Sequence, residues 1–145
     1  MLVLRIEDIN GRGVYQYMDQ AEKACRSYRE RNFAAIDVNH PPPHVDVLLK
    51  NYWEDICTRL QHKNYRFGFR DKEQLLNWFP KEGLIQLEQV FRVNLFHNTT
   101  AHTMAVCVYE VPDCHVLIGD KQVAYLKHLA QKINSLSLTK FCERC

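Results

Sequence analysis

Apolar and polar residues alternate at the start of the chain and predict a β-strand over Leu2–Glu7. Asn10 and Gly11 form a turn signal after this strand. From Tyr17 to about Arg31 the apolar residues instead recur every three or four positions, with charged residues opposite them. We therefore expect a strand, a turn and then an amphipathic helix.

Three consecutive prolines, Pro41–Pro43, predict a stiff loop, because each proline fixes its own φ and removes a backbone donor. After this loop, Asp46 is placed to cap a helix. The apolar stripe of that helix would consist of Leu48, Tyr52, Ile56 and Leu60. We expect the helix to end near Gln61–Asn64.

A strand and a short helix are predicted in the centre of the chain. Tyr65–Phe69 alternates aromatic residues with small or basic ones, and Gly68 within it would leave room for a close backbone or ligand. Asp71 is followed three residues later by Gln74, which is typical of a capping box at the start of a helix. Pro80 would end this helix, so its end is well defined by the sequence.

The last third of the chain is predicted to contain mainly strands. Another short helix is supported by Leu84, Leu87 and Val90. Strands are then expected at Phe91–Phe96, Met104–Val111, Val116–Ile118 and Gln122–Tyr125, and a closing helix from the spacing of Leu126, Leu129, Ile133 and Leu136. Because the later strands are joined by short turns, we predict an α+β fold with a mixed or antiparallel sheet and flanking helices.

Length and composition indicate one globular domain over residues 1–145. Hydrophobic residues make up 46% and charged residues 25% of the chain, which is ordinary for a globular protein. The formal net charge of +2 gives no electrostatic basis for direct nucleic-acid binding. The sequence shows neither a signal peptide nor an apolar run of about 20 residues. We therefore expect a soluble protein in the cytoplasm of a host cell, with no membrane association.

The cysteine and histidine residues form no complete metal-binding motif. Six cysteines occur without an export signal, so we expect reduced thiols and no disulfide framework. Cys142 and Cys145 form a lone CxxC pair, and His40 and His44 flank the three prolines. A structural zinc site needs four convergent ligands, and neither pair has an evident partner pair. We predict no metal site.

Three short stretches of the sequence resemble a small, uncharacterised protein family of phages and mobile elements. The stretches are Leu4-Arg5-Ile6-Glu7 with Gly11-Arg12-Gly13-Val14-Tyr15, Phe67-Gly68-Phe69 with Gln74-Leu75 and Trp78-Phe79, and Gly119-Asp120-Lys121-Gln122-Val123. This resemblance implies a mobile-element origin and a role against host factors. It implies no reaction.

A weaker resemblance is to the ADP-ribosyltransferase-like fold, in which an arginine on the first strand holds the phosphates of NAD and a residue on a late strand contacts the nicotinamide ribose. This resemblance implies catalytic roles for Arg5 and Gln122. It also implies that Arg5, Tyr15 and Phe69 bind the cofactor NAD. The chain departs from the pattern at Gln122, because a neutral amide stands where a carboxylate would stabilise the charge of the transition state.

The same residues also have structural interpretations. Arg5 and Glu7 are two positions apart on the first strand, so they share a face and could form a solvated surface pair. The aromatic residues Phe67, Phe69, Trp78 and Phe79 could build the core between the central strand and helix. Glu7 or Glu110 would supply the charge that Gln122 lacks only if the fold brings it alongside.

We expect a phage- or mobile-element effector that binds a host protein or defence complex, as anti-CRISPR inhibitors of host defence do. Inhibition by occlusion requires no catalytic residue and no cofactor. The exposed candidates are two basic helix faces, one with Arg26, Arg29 and Arg31 and one with Lys121, Lys127 and Lys132. A homodimer is compatible with the same pattern. The alternative is an ADP-ribosyltransferase-like enzyme that uses NAD to modify a host or defence protein.

Overall fold

The described structure covers four parts of the chain. A computed structural model describes residues 1–14, 45–52, 64–95 and 103–144, and for residues 90–95 it describes the backbone alone. The helix predicted over Tyr17–Arg31, with its basic face, and the loop at Pro41–Pro43 lie outside these residues. Of the segment predicted to form a helix after Asp46, Leu49–Tyr52 is a 3-10 helix, and residues 53–63 lie outside the described residues.

Strands and helices follow one another in an α+β order, which confirms the predicted fold class. The strands of the described residues are β1 (Leu2–Glu7), β2 (Tyr65–Gly68), β3 (Ala105–Glu110), β4 (Val116–Ile118), β5 (Val123–Leu126) and β6 (Gln131–Ser137). Their α-helices are α1 (Lys72–Trp78), α2 (Lys81–Leu95) and α3 (Leu138–Glu143). None of these helices is long and apolar enough to cross a lipid bilayer.

The strands form two three-stranded sheets. One has the order β2-β5-β4, and both of its strand pairs are antiparallel. Val123 of β5 is paired with Gly68 on one side and with Ile118 on the other. The second sheet has the order β1-β3-β6. The short turn between β4 and β5 thus produces the antiparallel pairing that the sequence predicts.

Two compact units divide the chain. The first, called here the turn unit, comprises Met1–Arg5, Ile36–Trp78 and Val108–Asn134. The second, called here the helical unit, comprises Ile6–Ala35, Phe79–Cys107 and Ser135–Cys145. Strands β1, β3 and β6 contribute residues to both units. The expectation of a single domain over residues 1–145 stays a prediction.

Apolar side chains cover one face of the β2-β5-β4 sheet in the turn unit. Leu49 and Ala124 are fully buried there, and Tyr65, Phe67 and Leu117 pack against them. Phe67 and Leu117 are both paired with Ala124, so these three side chains share a face of the sheet. The 3-10 turn that begins at Leu49 is therefore anchored on the sheet by its first residue.

Strand β1 passes close to Gly68, where the sequence predicts room for a neighbouring backbone. The Leu4 N–H donates to the Phe69 carbonyl at 2.7 Å, and the Phe69 N–H donates to the Leu4 carbonyl at 2.8 Å. A Cβ at position 68 would lie 2.6 Å from the Leu4 carbonyl oxygen and 2.7 Å from Cγ1 of Val3. The Phe-Gly-Phe stretch therefore owes its glycine to the approach of β1.

Buried carboxylates fix two segments of the helical unit. Asp8 accepts the backbone N–H of Asn10 at 2.9 Å and that of Arg12 at 2.7 Å, and Nε of Arg12 donates to its second oxygen at 3.0 Å. These bonds form the turn predicted at Asn10 and Gly11. Glu88 of α2 accepts the N–H of Thr139 at 3.0 Å and also its hydroxyl, so it holds the start of α3.

The strand predicted over Phe91–Phe96 is wrong, because α2 continues through these positions as far as Leu95. The apolar residues of the helix recur at spacings of three and four, at Leu84, Leu87, Phe91 and Leu95. That spacing favours a helix, and it outweighs the strand preference of the aromatic and branched residues in the segment. Phe96 lies outside the described residues.

The closing helix predicted from Leu126 to Leu136 is also wrong. Lys127–Leu129 forms a 3-10 turn, and Gln131–Ser137 forms strand β6. Residues 131–135 are all exposed, so no buried apolar stripe holds a helix at this place. Backbone pairing with β3 in the sheet determines the conformation instead.

Candidate functional site

The candidate site lies in the turn unit, at the tight turn between β4 and β5. The turn is closed by the Gly119 N–H, which donates to the Gln122 carbonyl at 2.9 Å. A Cβ at position 119 would collide with that carbonyl oxygen, and it would lie 2.6 Å from Cγ of Leu49 and 2.9 Å from Oδ1 of Asp46. The glycine of the Gly-x-x-Gln-Val stretch therefore allows the turn to pack against the segment around Asp46.

The carboxylate of Asp46 joins two backbone segments that are far apart in sequence. Its side chain is buried, with 1% exposure. Oδ1 accepts the N–H of Leu48 at 3.1 Å and that of Leu49 at 3.2 Å, which confirms the predicted cap. The same oxygen accepts the N–H of Asp120 at 2.9 Å, and Oδ2 accepts the N–H of Lys121 at 3.0 Å. One carboxylate thus fixes both the first turn after residue 46 and the β4–β5 turn.

The side chain of Gln74, on α1, also binds the β4–β5 turn. At the start of α1, the Asp71 carboxylate accepts the backbone N–H of Gln74 at 2.7 Å. The side-chain oxygen Oε1 of Gln74 accepts the backbone N–H of Arg70 at 2.9 Å. The first bond is the cap that the sequence predicts, whereas the return bond of Gln74 goes to the residue before the capping aspartate and not to the aspartate itself. In addition, the Gln74 amide donates to the Asp120 carbonyl at 3.0 Å. Both backbone polar groups of Asp120 are therefore bound by side chains.

A small polar pocket of about 160 Å³ opens between α1 and this turn. Two ion pairs line it: Arg70 Nε lies 3.1 Å from Asp71 Oδ2, and Lys121 Nζ lies 3.2 Å from Asp120 Oδ2. All four of these side chains are about half exposed, so each pair contributes little to stability. The rest of the lining belongs to α1 and consists of Glu73, Gln74, Asn77 and Trp78.

Trp78 gives the pocket a rigid aromatic wall. The indole is 6% exposed and packs on the ring of Phe69, with 5.8 Å between the ring centroids and 55° between the planes. Phe69 itself is 7% exposed. Both aromatic residues thus take the core position that the structural interpretation of the sequence gives them, and one of them also borders a site.

The structure brings three of the four residues proposed for NAD chemistry onto neighbouring segments of the turn unit. Arg5 follows Leu4, which pairs with Phe69, and Nη1 of Arg5 donates to the Phe67 carbonyl at 2.5 Å. Gln122 is buried and directly precedes Val123, the partner of Gly68. Tyr15 lies outside the described residues. The catalytic and cofactor-binding roles of these residues stay predictions.

The prediction of a second basic helix face is wrong, because the three lysines assigned to it do not lie on one helix. Lys121 belongs to the β4–β5 turn and pairs with Asp120, and Lys127 begins a 3-10 turn. Lys132 is on β6, with Nζ 5.6 Å from the centre of the Tyr109 ring. The first basic face, with Arg26, Arg29 and Arg31, lies outside the described residues and stays a prediction.

Exposed apolar side chains are concentrated on the segment that Asp46 anchors. The exposed fractions are 54% for Val45, 60% for Val47, 45% for Leu48 and 43% for Tyr52. Val45 and Val47 flank Asp46 directly, and Asp46 in turn binds the backbone of two pocket residues. The described surface of the turn unit thus combines apolar side chains with a polar pocket.

Sequence reasoning identified several residues of this site without identifying the site. Gln74 and Trp78 lie in one of the stretches that resemble phage proteins, and Asp120 and Lys121 lie in another. No sequence motif marks Glu73 or Asn77 as a site residue; the sequence predicts only that they lie on a helix. The second role of Asp46 was missed because it binds residues 74 and 75 positions away, which no local pattern encodes.

No described cysteine or histidine lines the pocket. Among the described residues, no group of three or more His, Cys, Asp or Glu side chains is arranged to hold a metal ion. Cys142 is buried on α3, and its Sγ lies 3.9 Å from the Lys81 carbonyl oxygen. Cys145, His40 and His44 lie outside the described residues.

Comparison with known protein families gives a match over most of the chain. Residues 1–139 match the model of a protein family whose description is Bacteriophage T4 Y00F protein. No curated protein and no solved structure matches the chain.

Proposed function

Because the chain belongs to the bacteriophage T4 Y00F protein family, and is therefore a phage protein, we propose that it is an effector that binds a host protein. The expected effect is inhibition of host defence, in the manner of an anti-CRISPR protein, by covering a surface that the host protein or defence complex uses. The expected place of action is the host cytoplasm. The observation that carries the proposal is the pairing of exposed apolar side chains with the polar pocket.

The apolar part of this surface consists of exposed side chains on the segment around Asp46. Valine and leucine are among the residues most often buried, and adjacent exposed apolar residues usually mark a contact site. Here Val45, Val47 and Leu48 are exposed while Asp46 between them is buried. The backbone that carries the three side chains is fixed by Asp46 and Leu49, so little conformational entropy would be lost when a partner binds.

The polar part of the surface is connected to this segment through Asp46, which accepts the backbone N–H groups of the pocket residues Asp120 and Lys121. Protein interfaces commonly combine an apolar centre with a polar rim, and side chains of one partner insert into small pockets of the other. We call the exposed side chains of Val45, Val47 and Leu48, together with the pocket, the contact surface. A pocket of about 160 Å³ is smaller than the roughly 300–1,000 Å³ typical of small-molecule sites. It suits a single protein side chain better than a dinucleotide.

Replacing Val47 by glutamate tests the contact surface. The new charge would have to be desolvated in the complex, so we expect the affinity for the host partner to fall by about 30-fold or more. The matched control is Ile133→Glu, since Ile133 is an apolar residue of the turn unit with a similar exposure of 49%. The tagged chain is expressed in the phage host, a stoichiometric complex is isolated, and its affinity is measured by calorimetry with the purified partner.

Equal affinities of the two variants for the host partner would show that the binding site is not the contact surface. If the chain is recovered without any host protein, as a monomer or a homodimer by light scattering, the result would contradict binding of a host protein. The inhibitory effect is measured separately, as the plating efficiency of a defence-sensitive phage on cells that produce the chain. We expect the plating efficiency to rise in cells that produce the wild type or Ile133→Glu. In cells that produce Val47→Glu it should equal that of cells that do not produce the chain.

The alternative is an ADP-ribosyltransferase-like enzyme, and it is favoured by the neighbouring positions of Arg5, Phe69 and Gln122. It is tested by incubating the pure protein with NAD and host extract and measuring nicotinamide release and the mass of extract proteins. The binding proposal predicts neither release nor modification, and inhibition that persists in Gln122→Ala. Modification that a folded Arg5→Ala or Gln122→Ala variant loses would instead support the enzyme.

A further inference from the structure

We infer that the pocket between α1 and the β4–β5 turn accepts a basic side chain, arginine or lysine, of the partner. As a statement about the host partner, this inference rests on the proposed function. The affinity of the pocket for a guanidinium group is a property of the chain itself and can be tested without a partner.

The charges around the pocket favour a cation. Two positive and three negative side chains line it, which leaves one net negative charge. Arg70 and Lys121 are each engaged by the aspartate next to them in sequence, at 3.1 Å and 3.2 Å. The third acidic residue, Glu73, has no ion pair within the described part of the chain and is exposed. A cation would find a carboxylate available, whereas an anion would have to compete with Asp71 and Asp120 for its donors.

Two lining residues of α1, one acidic and one neutral, form a cradle for a guanidinium. Glu73 and Asn77 are four residues apart on α1, so they lie on the same face of the helix. Their carboxylate and amide oxygens can both accept hydrogen bonds from a planar donor group. Trp78 also lines the pocket, and its core packing on Phe69 fixes this side of it.

The volume agrees with a single side chain. The pocket of about 160 Å³ is below the usual range for drug-sized ligands. Its walls are held in place before any ligand arrives, because Gln74 and Asp46 fix the turn and Phe69 supports the indole. Preformed pockets of this kind are where interfaces insert anchoring side chains such as arginine.

The test is a titration of the full chain with N-acetyl-arginine-N-methylamide, followed by NMR of ¹⁵N-labelled protein. We expect saturable shifts of the Trp78 indole N–H and the Asn77 side-chain amide, with a dissociation constant on the order of 1 mM. The neutral isostere N-acetyl-citrulline-N-methylamide should bind at least about three-fold more weakly, as expected for the loss of one exposed ion pair. Acetate and inorganic phosphate should cause no saturable shift at these groups.

Two variants give opposite expected changes. Glu73→Gln should weaken arginine binding about three-fold, and Asn77→Asp should strengthen it by a similar factor, because each changes the charge next to the ligand by one unit. Glu110→Gln, an exposed acid on β3 outside the pocket, should leave the affinity unchanged. Equal binding of the arginine and citrulline probes, saturable binding of phosphate or acetate, or no saturable shift at Trp78 would each overturn the inference.

These outcomes are independent of the host-protein experiment. A pocket that binds arginine in a chain that forms no host complex would contradict the proposed function alone. A host complex whose affinity is unchanged in both Glu73→Gln and Asn77→Asp would contradict the pocket's role in that complex, while the proposed function would stand.

Discussion

Replacing Asp46 by alanine is expected to lower the free energy of unfolding by about 4 kcal/mol. The carboxylate accepts four backbone N–H groups, those of Leu48, Leu49, Asp120 and Lys121. A buried donor that loses its acceptor costs roughly 1–3 kcal/mol, and the total stays below the simple sum because water can reach a turn that has loosened. The change is measured by urea unfolding followed by tryptophan fluorescence.

Two control variants define the source of this loss. Asp46→Asn keeps one acceptor oxygen but directs an NH₂ group at N–H donors, so we expect a loss of about 2 kcal/mol. Asp113→Ala removes an acid of the same unit whose side chain is 88% exposed and pairs with the N-terminus, and it should cost no more than about 1 kcal/mol. If Asp46→Ala were as stable as Asp113→Ala, the assigned role of the buried carboxylate would be wrong.

Replacing Gly119 by alanine is expected to cost about 3 kcal/mol. The new Cβ would overlap the Gln122 carbonyl oxygen, which is backbone and cannot rotate away, and it would crowd Leu49 and Asp46. Relief requires the turn to move off the Asp46 segment, so the effect combines overpacking with weakened hydrogen bonds. The measurement is again urea unfolding, and we expect arginine binding in the pocket to fall as well, because Asp120 and Lys121 would shift.

The double variant separates this explanation from a general loss of stability. Asp46→Ala and Gly119→Ala disturb the same contact between the turn and the Asp46 segment, so their effects should not add. We expect the double variant to be at least about 1 kcal/mol more stable than the sum of the single losses predicts. Strictly additive losses would show that the two residues act at separate places.

The parts of the structure that the sequence predicted correctly are those with short-range causes. The cap at the start of α1 depends on residues three and four positions apart: Asp71 accepts the N–H of Gln74, and the side chain of Gln74 accepts the N–H of Arg70. The turn between β4 and β5 follows from Gly119 and the strand pattern on both sides. The room left at Gly68 was also foreseen, although only the structure shows that β1 fills it.

The incorrect elements have specific physical causes. At Phe91–Leu95 the local preference for a strand competes with the helical spacing of apolar residues that begins two turns earlier, at Leu84, and the helix continues through these positions. After Leu126 the spacing of apolar residues fits a helix. The side chains of residues 131–135 are exposed, however, so they gain no burial energy from a helix, and the segment pairs in a sheet instead. Pairing partners in a sheet are long-range, and a single sequence does not reveal them.

The candidate site was predictable in its parts but not in its assembly. Two of the stretches that resemble phage proteins supply Gln74, Trp78, Asp120 and Lys121, and these residues line one pocket. The sequence interpretation instead placed the functional weight on Arg5 and Gln122. The two stretches are joined by the side-chain amide of Gln74, which donates to the Asp120 carbonyl, and the buried carboxylate of Asp46 fixes the same turn. Both contacts join residues far apart in sequence, so they produce no periodic pattern in the chain.

The central claim is that the contact surface of the turn unit binds a host protein, and site-specific photocrosslinking tests it most directly. A photoreactive amino acid is introduced at Asn77, beside the pocket, or at Ile133 as the control, and the chain is irradiated inside infected host cells. We predict that Asn77 yields one major adduct with a host protein and that Ile133 does not. Adducts of equal identity and yield from both positions, or none from Asn77, would contradict the account.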